Sequence, residues 1–295
     1  MAKKTTDNKK YLWILAVVSV LCICFGAIMA VSFWVPEPDT REVVVAKPSP
    51  TPKIVPTPFP TKEPGVIPIS EDPNDPYPEI YGENPNQEFA PTEDYVVYLT
   101  FDDGPSNSTP ALLTMLKEEG VPATFFVFSD AYPEILKQAY EDGHTLGIHT
   151  NSHVYRQIYQ SLDAYLYDFA KCFQNIVQAT GYTPRIFRFP GGSVNSYNRN
   201  LAWTLVTEME RRGFVYYDWN VTSEDAAGAT TYEDQLNELI TQSQNKSRII
   251  ALMHDTDANP WIADLVRDYI GHMKALGYHF ASLDPSVQPV QFPLP

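Results

Sequence analysis

Cysteine is scarce in this 295-residue chain: Cys22 and Cys24 lie in one apolar run, and Cys172 stands alone in a helical pattern. No disulfide can be built downstream of that run, so the chain is not a disulfide scaffold. No His or Asn arrangement points to Cys172 as a nucleophile, and its expected place is the core. Basic residues are also few. Lys and Arg number 21 against 36 Asp and Glu, a formal net charge of −15, with no basic stripe outside the N-terminus. That balance argues against nucleic acid or an anionic surface as partner. No internal repeat is present.

Charge is missing altogether from Tyr11 to Val35. About 20 to 25 apolar residues suffice to cross a bilayer as a helix. Lys3, Lys4, Lys9 and Lys10 precede the run, the kind of flank that stays cytoplasmic. The sequence therefore predicts a cytoplasmic N-terminus (1–10), a single transmembrane anchor (11–35) and an extracellular remainder at the cell membrane. Secretion after signal-peptide cleavage is the alternative; the apolar core is long for that, and Ala27-Ile28-Met29-Ala30 is a poor cleavage site. The segment 36–93 holds more than half of the chain's 26 prolines, concentrated in Lys47-Pro48-Ser49-Pro50-Thr51-Pro52 and Pro56-Thr57-Pro58-Phe59-Pro60. Proline bars helix and inner strand and favours extended polyproline II, so this reads as a semi-rigid linker. A Pro-rich ligand for a recognition domain is the other reading.

From Asp94 to 285, short β-branched or aromatic runs alternate with helical spacing, and 286–295 form a tail. Strands are expected near Val96 to Phe101, Ala123 to Phe128, Thr145 to Ile148, Ile186 to Phe189, Phe214 to Trp219, Ile249 to His254 and Tyr278 to Ser282. Helices are expected near Ser108 to Glu119, Tyr132 to Asp142, Leu162 to Thr180, Asn198 to Arg212, Tyr232 to Ser243 and Trp261 to Leu276. Gly120, Gly143, Gly181, Gly213 and Gly277 follow helices where a left-handed cap costs least. Repeated β-then-α units predict an α/β fold, a distorted (β/α) barrel of about seven units, with an open doubly wound sheet as runner-up. What favours the barrel is that Asp102, His149, Arg188, Trp219 and His254 fall at or just past five different strand ends.

The chemistry begins with Thr100-Phe101-Asp102-Asp103-Gly104-Pro105 and His149-Thr150-Asn151-Ser152-His153. Adjacent carboxylates can divide their labour, one entering a metal's shell and the other staying free as a base. Imidazoles four residues apart lie on one side of a helical turn, so one divalent ion can take both with a carboxylate and keep positions open for water. Alone, Asp-Asp-Gly-Pro is most often a turn and H-x-x-x-H two surface histidines. Their order, each after an apolar strand-like run, favours the metal site.

Three further stretches join these two: Arg188-Phe189-Pro190-Gly191-Gly192, Trp219-Asn220-Val221-Thr222-Ser223-Glu224-Asp225-Ala226, and Leu252-Met253-His254-Asp255. Over 94–285 the succession resembles the polysaccharide deacetylase family, carbohydrate esterase family 4, also called the NodB-homology domain. The resemblance implies that Asp103, His149 and His153 hold one divalent ion, zinc by default and cobalt or another first-row ion as alternatives. It implies Asp102 as general base, Arg188 as the cation that orients it, and His254 as general acid oriented by Asp225. The Gly191 N–H becomes the oxyanion donor, while Pro190, Trp219 and Leu252 contact substrate. Three positions depart from the family pattern: Phe189 stands where a proline is usual, Gly191 where an aromatic is usual, and Ala226 where a Trp usually lines the acetyl pocket. Asp218-Trp219 is a competing register for the fourth motif.

The function implied is metal-dependent removal of N-acetyl groups from cell-wall polysaccharide, peptidoglycan N-acetylglucosamine foremost, with release of acetate. O-deacetylation of xylan or another polymer is a second enzyme reading, and a non-catalytic wall-glycan-binding module is the reading from another class. His144, His272 and His279 fall outside the motifs and are expected to be structural, and Tyr155, Tyr159 and Trp261 receive no assignment.

Overall fold

The computed structural model describes residues 73–81, 88–128 and 131–295. The expected cytoplasmic N-terminus (1–10), the expected transmembrane anchor (11–35) and most of the expected linker lie outside the described residues. No helix among the described residues is long and apolar enough to cross a membrane.

Among the described residues, eight strands make one sheet: β1 (Val96–Asp102), β2 (Thr124–Val127), β3 (Thr145–Ile148), β4 (Ile186–Phe187), β5 (Val215–Tyr216), β6 (Val221–Thr222), β7 (Arg248–His254) and β8 (His279–Ala281). Between them run α1 (Thr109–Glu119), α2 (Pro133–Glu141), α3 (Tyr155–Ile158), α4 (Leu162–Thr180), α5 (Ala202–Arg211), α6 (Tyr232–Ser243) and α7 (Ile262–Ala275). The hydrogen-bonded order is β5-β4-β3-β2-β1-β7-β6, and the pairings are parallel. β8 pairs with the first half of β1, at Val96 to Tyr98, while β2 pairs with its second half, at Thr100 to Asp102.

Alternation along the strands sorts the two faces. Val97, Leu99 and Phe101 of β1, with Ile249, Ala251 and Met253 of β7, enter the large core shared with the helices. Val96, Tyr98, Phe126, Ile186, Val215, Tyr217 and Ile250 form a second cluster on the opposite face, joined by Leu283, Val287 and Val290 but by no helix. Among the described residues, helices therefore cover one face only. A doubly wound sheet needs them on both, so that alternative is set aside.

The helices obey local rules. Ser161 caps α4 by accepting from Ala164 N–H at 3.1 Å. The five glycines expected to end helices all have positive φ.

Three differences from the sequence reading have physical causes. The helix expected from Asn198 starts at Ala202, because Asn195 and Asn198 accept each other's backbone N–H and so compete with the helix. The strand expected over Phe214 to Trp219 shortens to Val215–Tyr216 and is followed by the unforeseen β6. Between them the chain changes neighbours: Tyr217 N–H donates to Phe187 O of β4, whereas Asn220 N–H donates to Ile250 O of β7. Residues 217–220 thus cross from one end of the strand path to the other. Among the described residues the ladder has two ends, β5 and β6, rather than a closed ring. The third difference is α3, a single turn where no element is expected from the sequence.

Segments outside 94–285 pack on this body. Ile80 is fully buried, and the buried Arg212 guanidinium donates to Asp75 Oδ1 and Oδ2 at 3.0 and 3.1 Å and to Tyr77 O at 3.0 Å. Residues 73–81, read as linker, are therefore a docked strap. Beyond 285, Asp218 N–H donates to Val290 O at 2.8 Å, and Tyr217 Oη donates to the carbonyls of Asp284 and Val287. The tail covers the inner cluster beside β5.

Candidate metal centre and active-site pocket

The motifs meet where β1, β3, β4, β6 and β7 end. On β1, residues at even positions face away from the helices, so Thr100 and Asp102 share the inner face while Asp103 begins the turn beyond. Asp102 and His254 are register partners across β1 and β7. A cavity of about 640 Å³ opens there, bordered by Asp102, Asp103, His149, His153, Gly191, Trp219, Asp225, Leu252 and His254, among others.

Asp103, His149 and His153 offer one ligand atom each, all within 4.8 Å of one another. His153 Nε2 stands 3.2 Å and His149 Nε2 3.6 Å from Asp103 Oδ1. That oxygen is buried and has no hydrogen-bond partner, which is costly unless a cation completes it. His149 Nδ1 lies 2.9 Å from Arg188 O. As the donor in that bond, Nδ1 leaves Nε2 with a free lone pair facing Asp103. Burial, and then the neighbouring His149, hold the His153 pKa down, which keeps that ring neutral for ligation. The three residues fit a divalent cation.

The expected helical turn between the two histidines is not what brings them together. Residues 149–153 form a bend in which Thr150 and His153 have positive φ (67° and 55°). Asp168 of α4 accepts from Asn151 N–H at 2.6 Å and Ser152 N–H at 2.9 Å, fixing the bend. The rings end up 5.1 Å apart. Asp168 sits mid-helix in the sequence, so nothing in the local pattern marked it.

Arg188 is wholly buried. It donates through Nη1 to Asp102 Oδ1 and to Thr100 Oγ1, both at 2.8 Å, and through Nε to Tyr217 O at 2.8 Å. Its guanidinium lies 4.4 Å from the Phe126 ring centre and 5.7 Å from that of Trp219. Asp102 Oδ2, its other oxygen, is 3.7 Å from His149 Nε2. One carboxylate oxygen is thus held and the other is presented to the centre.

Of the two registers for the fourth motif, Asp225 is the one that meets the histidine. His254 donates Nδ1–H to Asp225 Oδ1 at 2.7 Å and its backbone N–H to Oδ2 at 2.8 Å. Burial disfavours the imidazolium, but Asp225, with help from Asp102 and Asp103, outweighs it and raises His254 to about 9. The same pair lowers the pKa of Asp225 against the effect of its own burial. Asp218 does something else. Fully buried, it accepts from Ser193 N–H (2.8 Å), Ser193 Oγ (2.6 Å) and Phe292 N–H (2.7 Å). It ties the turn after Gly191 to the C-terminal tail, and Phe292 packs edge-on against Trp219, ring centres 4.9 Å apart.

Among the described residues, Gly191 N–H makes no hydrogen bond within the protein, and Gly191 borders the cavity. Pro190 does not border it; buried, it accepts through its carbonyl from Tyr159 Oη at 2.7 Å and so braces the turn from behind. Trp219 and Leu252 are wall residues, and so is Ala226. The sequence reading missed Asn259, which is buried, borders the cavity and donates Nδ2–H to Asp225 Oδ2 at 3.3 Å. It also passed over Asp255. That residue accepts from Ser106 Oγ (2.7 Å) and Thr109 Oγ1 (2.6 Å) and leaves room only for glycine at 104, whose Cβ would lie 2.5 Å from Asp255 Oδ2. A carboxylate directly after a motif histidine was the available signal.

Comparison with known proteins agrees with this geometry. The polysaccharide deacetylase family model matches residues 90–210. The Bacillus subtilis (strain 168) protein YheN, whose name proposes a polysaccharide deacetylase, is 34% identical over 205 residues, 67% of this chain and 70% of YheN. A peptidoglycan-N-acetylglucosamine deacetylase of Bacillus cereus is 30% identical over 217 residues, 69% of this chain and 75% of that protein. The crystal structure of the catalytic domain of peptidoglycan N-acetylglucosamine deacetylase from Eubacterium rectale superposes with a TM-score of 0.67 at 33% identity, covering 71% of this chain and 97% of that one. The chain belongs to the polysaccharide deacetylase family, carbohydrate esterase family 4.

Proposed function

We propose that this deacetylase-family chain hydrolyses the N-acetyl group of N-acetylglucosamine in cell-wall peptidoglycan, leaving a free amine and releasing acetate. The observation that carries the reading is the placement of Asp102 and His254 as register partners on β1 and β7, beside the Asp103, His149 and His153 group. A base and an acid on adjacent strands can serve the two ends of one amide. The named activity of the Bacillus cereus and Eubacterium rectale relatives supports the substrate.

Asp103, His149 and His153 would hold a divalent cation, zinc by the Asp-His-His donor set. When bound, it lowers the pKa of a coordinated water and polarises the acyl oxygen. The protein's own groups do the rest. Asp102, oriented by Arg188, takes the proton from water as its oxygen bonds to the acyl carbon. Gly191 N–H donates to the oxyanion that develops. His254, charged at neutral pH through Asp225, gives its proton to the nitrogen as the C–N bond breaks, because an amine leaves poorly without it. Water and the amide are consumed; acetate and amine result.

The same reading takes the curled sheet as a distorted (β/α) barrel of about seven units. It places the chain at the cell membrane through residues 11–35, with the linker carrying the site to wall glycan outside. The test is acetate release from purified peptidoglycan and from acetylated xylan, with and without chelator. Chelator-sensitive acetate from peptidoglycan is expected; acetate from xylan alone would overturn the substrate assignment.

A further inference from the structure

Position 191 has no side chain, and the space in front of it is filled from another element. A Cβ built on Gly191 would lie 2.9 Å from Tyr155 Oη and 3.0 Å from its Cε2, closer than real Cβ contacts come. A side chain at 191 and the Tyr155 ring in its present place therefore cannot coexist without one of them shifting. Tyr155 opens α3, two residues past the ligand His153, and its ring meets those of His153 (5.2 Å, 72°) and Tyr197 (5.3 Å, 90°) edge-on.

Tyr155 and Tyr159, four residues apart on this turn, take opposite parts. Tyr159 is buried, and its hydroxyl is spent on Pro190 O at 2.7 Å behind the turn. Tyr155 is half-buried and borders the same cavity as Asp102, Asp103, His149 and Gly191. Among the described residues, its hydroxyl has no hydrogen-bond partner in the protein. A phenol O–H in that position must be satisfied by water or by a ligand. At neutral pH an ordinary phenol is an uncharged donor, and its ring offers a flat apolar wall with a polar tip.

We propose that Tyr155 is a substrate-contacting residue of this active site, its hydroxyl donating to the bound N-acyl sugar beside the Gly191 N–H while its ring supplies the wall that position 191 lacks. The inference rests on the deacetylase reading above. Hydroxyl and ring are separable: Tyr155→Phe removes only the donor and keeps the packing on His153, whereas Tyr155→Ala removes both.

The test uses the full chain loaded with zinc, with acetate release from purified peptidoglycan and from N-acetylated chitooligosaccharides as readouts. Metal content is measured on each variant. Tyr155→Phe is expected to lose about tenfold in kcat/KM, the fold-change of one hydrogen bond of about 1.4 kcal/mol, with metal content unchanged. Tyr155→Ala is expected to lose about another tenfold. Steric exclusion is checked by Gly191→Ala, whose loss of thermal stability should be smaller in the Tyr155→Ala background than in the wild type. Wild-type kcat and KM in Tyr155→Phe would overturn the donor role, and losses that track lost metal would reduce Tyr155 to a support for His153. A wild-type protein that releases no acetate from either substrate would instead overturn the deacetylase reading.

Discussion

Arg188 and Asp102 meet at 2.8 Å on the inner face of the sheet, and both side chains are buried, Asp102 bordering the cavity. Removing one member of such a pair leaves the other charge buried and uncompensated, at a cost of about 3–5 kcal/mol. Arg188→Ala is accordingly expected to lower the melting temperature by roughly 10 °C. Asp102→Asn still accepts from the guanidinium. It removes the countercharge of the buried guanidinium, so it too should melt below wild type, though by less than Arg188→Ala; it should retain metal and lose at least about a hundredfold in acetate release. Calorimetry and an acetate assay on the two variants check both statements; an Arg188→Ala protein as stable as wild type contradicts the first.

The cation site makes a separate prediction. His149→Ala and His153→Ala each remove one of three donors and should weaken metal binding at least tenfold. Elemental analysis after dialysis against a weak chelator measures this. Unchanged metal content in the His149 variant would mean that the ligands are misassigned.

The pH profile follows from His254. Its pKa is raised to about 9 in the folded protein, so the acid form is present below that value and is lost as pH rises through it. A cation at Asp103 pulls the value down, which puts the basic limb of kcat/KM at or below pH 9. Asp225→Asn removes the chief cause of the rise and leaves burial, which favours the neutral ring. The basic limb should therefore move toward lower pH; a limb that stays in place would mean that His254 is not the acid.

The strap at 73–81 predicts a stability effect far from the chemistry. Asp75→Ala withdraws a buried carboxylate from Arg212, which keeps Glu208, backbone carbonyls and the Tyr81 ring. A loss of about 1–3 kcal/mol is expected, read as a shift in urea midpoint, with kcat unchanged. A midpoint equal to wild type would show that the strap contributes little.

Strand ends and the Asp-His-His group were legible because their signals are local. Asp102-Asp103 follows one apolar run, His149 another, and glycines mark the helix ends. The residues that hold these groups were not, because their partners come from far along the chain. Asp168 serves His149 and His153 from a helix whose sequence shows only amphipathic spacing. Asp218 looked like a motif register and is instead the tie between Ser193 and Phe292. Tyr155 reads as one aromatic among eighteen tyrosines until Gly191 is seen opposite it. The crossing at 217–220 escaped notice because its residues have strand character while their hydrogen bonds change sides.

Because Asp102 and His254 face each other through a fixed pairing of two seven-residue strands, adding or deleting one residue within either would turn its functional side chain toward the helices. Length variation in β1 and β7 is thereby barred. Evolution or engineering of this pocket toward other acylated sugars is channelled into the connections past the strand ends, where Gly191, Ala226 and Tyr155 reside and where residues can be gained or lost without disturbing Asp102 and His254.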